Sequence, residues 1–300
     1  MNRLETVLMG VKMKNPVIAA SGTFGFGEEY GKIFDVSRLG GISCKGLTVG
    51  GSKGNRGIRV WETPSGMLNS IGLENPGVGH FVEHECKKLR EKNVCVIANL
   101  GGHSEEDYIK GAELLNRADM DILELNISCP NVKQGGMAFG VDPLVAGALT
   151  AKIKKICRRP LLVKLSPNAP DIAALALACE NNGADGLSLT NTFLGMAIDV
   201  KRKKAVFDNI YAGLSGPAIM PLALRMVYAA AKEVKIPVIG IGGIATAADA
   251  LCFMMAGAAA VQVGTATFSN PTATLSIIDG LEEYCEENNL KNISEIVGIV

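Results

Sequence analysis

The 300-residue sequence is poor in several things at once. Aromatic side chains make up 5%, histidine occurs three times, and thirty basic residues cancel thirty acidic ones. Without a basic surplus there is no electrostatic footprint for nucleic acid. The short Lys201-Arg202-Lys203-Lys204 run reads as a solvated loop. Cysteines stand at 44, 86, 95, 129, 157, 179, 252 and 285, yet no pair has C-x-x-C spacing. With so few histidines, a zinc site or an iron–sulfur cluster held by this chain is not expected. Few aromatics beside 35 glycines argue for many tight turns rather than a β-sandwich. Met1 to Leu8 lacks the apolar core of a secretion signal, so a cytoplasmic location without a membrane anchor is expected. The uncharged stretch between Asp249 and Asp279 is broken by Gly257, Gln262, Gly264 and Pro271. It reads as helix, buried strand, turn and helix rather than a membrane span.

What is present is an alternation. Near-continuous apolar runs occur at Val17–Ala20, Gly41–Lys45, Val94–Leu100, Ile122–Ser128, Leu161–Leu165, Gly186–Thr190, Val238–Gly242 and Ala260–Gly264. Such runs suit parallel strands covered on both faces. Between them, His80–Lys92, Glu105–Ala118, Pro143–Arg158, Ile172–Asn182, Ala218–Val234 and Ala247–Ala256 repeat apolar residues at helical spacing. Eight repeats predict a single α/β domain over residues 1–300, a closed (β/α)8 barrel rather than an open sheet. No G-x-G-x-x-G follows the first strand, which argues against a dinucleotide fold. Thr6–Met9 and Val11–Met13 around Gly10 predict a hairpin over the barrel floor. Two connections, Leu47 to Pro76 and Thr192 to Gly216, are long enough to suggest functional loops.

The strand ends carry the polar groups while the strand bodies read as apolar. Ser21-Gly22, Lys45-Gly46, Asn99, Asn126 through Asn131, Lys164, Asn191-Thr192, Gly242-Gly243 and Gly264-Thr265 all fall toward C-terminal ends, where barrels place their sites. The glycine pairs after the last two strands suit a phosphate held by backbone N–H groups, with Gly216 a further donor. Lys164 inside an apolar strand needs a negative partner, either an anionic cofactor or a carboxylate such as Glu124. Asn69, Asn126 and Asn191 offer amides that can read alternating N–H and C=O groups. Cys129, beside Pro130 and ahead of Gln134-Gly135-Gly136, could be a nucleophile, a base or a small hydrophobe.

Together these residues resemble the dihydroorotate dehydrogenases of the soluble class, and within it the catalytic subunit of the NAD-linked type. The landmarks are Ala20-Ser21-Gly22-Thr23-Phe24-Gly25, Lys45-Gly46, Ser65-Gly66-Met67-Leu68-Asn69, Asn126-Ile127-Ser128-Cys129-Pro130-Asn131, Asn191-Thr192 and Gly240-Ile241-Gly242-Gly243-Ile244. The resemblance implies FMN contacts from Ser21, Lys45, Gly46, Asn99, Asn126 and Lys164. Further FMN contacts are implied from Thr190, Gly216, Gly242, Gly243, Gly264 and Thr265. Substrate contacts are implied from Lys45, Asn69, Ser70, Ile71, Gly72, Leu73, Asn126, Asn191 and Thr192. It casts Cys129 as the base that takes the C5 proton while the C6 hydrogen passes as hydride to FMN N5, with Lys164 opposing the anionic reduced flavin. Gly135-Gly136 would belong to a lid. The resemblance also implies a partner subunit carrying FAD and a [2Fe–2S] cluster, in a heterotetramer built on a homodimer of this chain. Glu74 and Thr190 depart from what relatives often carry. A fumarate-linked homodimer, a reductase of another dihydropyrimidine, or a non-redox phosphosugar barrel would share parts of the pattern.

Overall fold

Each apolar run forms a strand close to its expected bounds. These are β1 Val17–Ala19, β2 Gly41–Ser43, β3 Cys95–Leu100, β4 Ile122–Asn126, β5 Leu161–Lys164, β6 Gly186–Leu189, β7 Val238–Ile241 and β8 Ala258–Val263. The computed structural model of the chain describes residues 2–128 and 139–300. Neighbouring strands pair in parallel, and β8 returns to β1 through Val261 opposite Val17 and Val263 opposite Ala19, closing the barrel. The amphipathic segments become the surrounding helices. Ser104 caps the helix Glu105–Leu115 by accepting the Asp107 N–H at 3.2 Å. Gly183 and Gly257, at φ +95° and +113°, turn the chain after Ile172–Asn181 and Ala247–Met255. The last helix, Ala273–Glu287, packs beside β1.

Period-two alternation divides each strand between two environments. Residues such as Val96, Ala98, Leu123, Leu125, Leu161 and Val163 face the helices in one large core. Ile18, Ile97, Ile122, Leu162, Ile239 and Ala260 point inward and pack with Leu8 and Met13 of the hairpin Thr6–Leu8/Val11–Met13. The hairpin therefore stoppers the barrel floor, as its sequence predicts.

The two long connections at the barrel mouth carry strands of their own. Val60–Thr63 and Gly66–Asn69 from the first join Phe193–Met196 and Tyr211–Ser215 from the second in a four-stranded antiparallel sheet. Asn69 lies opposite Gly213, a pairing between residues 144 positions apart that no local pattern announces. Leu68, Val206, Phe207 and Ala212 give this sheet its own small core. The expectation that the strand bodies are apolar needs correction: Ser43, Glu124, Ser188 and Gln262 are all fully buried inside the barrel. Each occupies the inward phase of its strand, so a polar layer lies above the apolar floor. Among the described residues no helix is long and apolar enough to cross a membrane.

Candidate active site

The residues that the sequence singles out at the strand ends meet in one cavity of about 600 Å³ at the C-terminal mouth of the barrel. That size lies within the range of roughly 300–1,000 Å³ usual for small-molecule sites. Its lower wall comes from the strands: Ser21, Lys45, Gly46, Asn99, Asn126, Lys164 and Thr190. One side holds Gly216, Gly242, Gly243, Gly264 and Thr265. A third part of the lining is the segment Asn69 to Leu73, with Asn191 and Thr192. Cys129, Pro130, Asn131 and the Gln134-Gly135-Gly136 segment lie outside the described residues.

The glycine side is close-packed for a physical reason. Gly242 and Gly243 have φ +130° and +74°. A Cβ on Gly243 would lie 2.6 Å from Met220 Cβ, and one on Gly242 would lie 2.7 Å from Ala223 Cβ. The turn after β7 thus sits directly against the start of the helix Met220–Glu233. Thr265 precedes the short helix Ala266–Ser269 and donates to Ser215 Oγ at 2.8 Å, tying the end of β8 to the antiparallel sheet. Backbone turns after strands seven and eight beside a short extra helix form the usual barrel site for a phosphate.

The strand side is electrostatic. Lys164 is 5% exposed, and its ammonium has no hydrogen-bond or salt-bridge partner among the described residues. The carboxylate suggested as its alternative partner is held otherwise. Glu124 accepts from Ser43 Oγ at 2.6 Å and Asn99 Nδ2 at 2.7 Å, and from Ser188 Oγ and Gln262 Nε2 at 2.8 Å. Burial by itself would raise the Glu124 carboxyl. The Lys164 charge and the bonds from Ser43, Asn99 and Gln262 outweigh it and hold the group below its ordinary range. Asn99 Oδ1 is buried and has no partner among the described residues. Half-buried Lys45 is lowered chiefly by desolvation, with Glu74 pulling it back up. Glu74 itself pairs with Arg59 at 2.8 Å on the outer side of the loop.

The third side is pinned by amides. Asn191 Nδ2 donates to Asn126 Oδ1 at 3.2 Å and also to Ser128 Oγ, while Ser128 Oγ donates to Asn126 Oδ1 at 2.5 Å. Tyr108 donates to the Asn126 carbonyl at 2.8 Å and fixes this strand end from the helix side. Asn69 donates to the Gly213 carbonyl, and Ser70 Oγ accepts from Asn55 and Asn209. Gly72 and Leu73 both have positive φ, at +75° and +53°. A Cβ on Gly72 would meet the Asn55 side chain at 2.5 Å, so the segment turns tightly over it.

Sequence reasoning missed Ser43, Ser188 and Gln262 below the cavity, and Asn55 and Asn209, which line it beside Ser70. The first group had a signal, since a polar residue in the inward phase of an apolar strand is out of place unless partnered. The second had none, because loop contacts are set by the antiparallel sheet.

Fold and cavity define a (β/α)8-barrel enzyme whose site is built from strand ends and two strand-bearing connections. The chain belongs to the dihydroorotate dehydrogenase family, whose model matches residues 3–285. It is 52% identical over 293 residues to a protein of Petrotoga mobilis, covering 98% of both chains. It is likewise 52% identical over 295 residues to one of Thermoanaerobacter pseudethanolicus, with the same coverage. A Bacteroides fragilis protein is 50% identical over 289 residues, covering 96% of this chain and 95% of its own. All three relatives are named dihydroorotate dehydrogenase B (NAD(+)), catalytic subunit.

Proposed function

We propose that this chain is the catalytic subunit of an NAD-linked dihydroorotate dehydrogenase. In this reading it is one barrel domain over residues 1–300 that holds FMN and oxidises (S)-dihydroorotate to orotate in pyrimidine biosynthesis. The observation that carries the reading is Lys164, a buried cation with no direct partner among the described residues, in the wall of a cavity with a glycine-lined phosphate corner. FMN fits that wall. Its phosphate suits the turns at Gly242-Gly243 and Gly264-Thr265, with Gly216, packed on the Gly66 backbone, also lining the cavity. Its polar ring edge suits the Lys164 ammonium and the orphaned Asn99 oxygen. When bound there, FMN supplies a two-electron acceptor for the hydrogen on substrate C6.

The chain's own residues then divide the work. Lys45 opposes the substrate carboxylate. Asn69, Asn126 and Asn191 orient the cyclic ureide, their own amide directions set by Gly213, Ser128 and one another. Cys129, one residue beyond Ser128, accepts the C5 proton on its thiolate. The buried thiols are poor candidates for a base, because burial pushes Cys44 up to about 12 and Cys179 to about 11. Electrons leave toward NAD+ through a partner subunit bearing FAD and a [2Fe–2S] cluster, docked on a dimer of this chain in the cytoplasm. The test is anaerobic mixing of the purified, FMN-loaded chain with dihydroorotate. Rapid bleaching of the flavin absorbance with formation of orotate is expected, and an unchanged spectrum would refute the reading.

A further inference from the structure

The buried carboxylate below the cavity does not line it, yet it decides what one cavity wall presents. Glu124 is fully buried, and its two oxygens receive donors from four strands: Ser43 and Asn99 on Oε2, Ser188 and Gln262 on Oε1. A carboxylate bound in this way offers only acceptors, so an amide facing it must turn its nitrogen inward. Asn99 does so at 2.7 Å. Its carbonyl oxygen is thereby turned away from Glu124, buried and unpartnered among the described residues, 3.1 Å from where a Cβ on Gly46 would stand. Both Asn99 and Gly46 line the cavity. An unpaired buried acceptor is costly unless a ligand supplies the donor.

We propose that Glu124 is a positioning residue that locks the Asn99 amide with Oδ1 toward the cavity, so that this wall recognises a donor hydrogen of the cofactor, either a ring N–H or a ribityl hydroxyl. The proposal rests on the FMN reading above.

The lock is testable because glutamine reverses one of its arms. In Glu124→Gln the new amide can no longer accept from all four donors, and Asn99 is free to turn its nitrogen toward the cavity. FMN titrated into flavin-stripped protein, followed by flavin fluorescence, is expected to bind roughly tenfold or more weakly. The double variant Asn99→Asp with Glu124→Gln restores one carboxylate–amide pair in mirror arrangement. The introduced glutamine amide then donates to the introduced aspartate, whose second oxygen again faces the cavity as an acceptor, and most of the affinity should return. Ser188→Ala removes a different donor to Glu124 and should bind FMN as the wild type does. Wild-type affinity in folded Glu124→Gln, or an equal loss in Ser188→Ala, would overturn the proposal. If Glu124→Gln does not fold, the double variant carries the test: binding near wild-type strength supports the lock and loss overturns it. Failure of the wild-type chain itself to bind FMN would instead strike the functional reading.

Discussion

Glu124 and Lys164 carry opposite charges on adjacent strands, and among the described residues they form no direct ion pair. Glu124 lies opposite Leu162 in the β4–β5 register, and Asn126 lies opposite Lys164, so the carboxylate sits one inward step below the ammonium. The lysine charge helps keep Glu124 ionised, while the four hydrogen bonds to Glu124 come from neutral donors. The three ammonium hydrogens of Lys164 therefore remain for whatever occupies the cavity.

That arrangement makes Lys164 the first residue to test. Lys164→Ala should weaken FMN binding by about ten- to a hundredfold, the scale of losing a hydrogen bond to a charged group. It should also lower the flavin midpoint potential, because the reduced cofactor loses a nearby positive charge. A redox titration showing an unchanged potential in a flavin-loaded variant would mean that Lys164 serves elsewhere.

Cys129→Ala should retain FMN but slow anaerobic flavin reduction by dihydroorotate by roughly 10²- to 10⁴-fold, the usual contribution of a positioned base. Cys129→Ser should fall between, its hydroxyl being a weaker base. Stopped-flow reduction at the wild-type rate in the alanine variant would remove Cys129 from the mechanism.

The stability of the barrel should depend on acid through Glu124. Its carboxyl is held below the ordinary value of 4.5 in the folded state. A carboxyl depressed in this way adds stability that is fully present above its unfolded value and is lost as pH falls through the folded one. Glu124→Gln lacks that titration. Thermal melts of wild type and variant should therefore differ most above about pH 4.5 and draw together below it. A difference that stays constant from pH 7 to pH 3 would contradict the sign.

The purified chain should reduce its own FMN and artificial dyes with dihydroorotate, yet form little NADH until the electron-transfer partner is added. Efficient NADH production by a homogeneous sample of this chain would exclude the two-subunit arrangement. Fast turnover with fumarate alone would point to the homodimeric alternative.

Much of this was open to a reader of the residues. The eight strands, the hairpin and most helices are local events: apolar runs, capping residues such as Ser104 and turn glycines such as Gly183 act within a few positions. The convergence of the strand-end residues on one cavity was legible for the same reason, since a parallel barrel sends every strand terminus to one mouth. Lys164 and Glu124 were both visible as polar residues within apolar runs. Which of several neighbours would satisfy them was not. The four donors to Glu124 come from residues 43, 99, 188 and 262. Only barrel closure brings those strands around one carboxylate. The antiparallel sheet that lines part of the cavity has the same origin, because Asn69 and Gly213 pair only once both connections stand above the closed barrel. Sequence alone determined which elements form and which chemistry reaches the mouth, because those depend on short-range preference and burial. Tertiary structure decided the partners, and so the direction in which Asn99 faces, because hydrogen bonds across a barrel are set by closure and register.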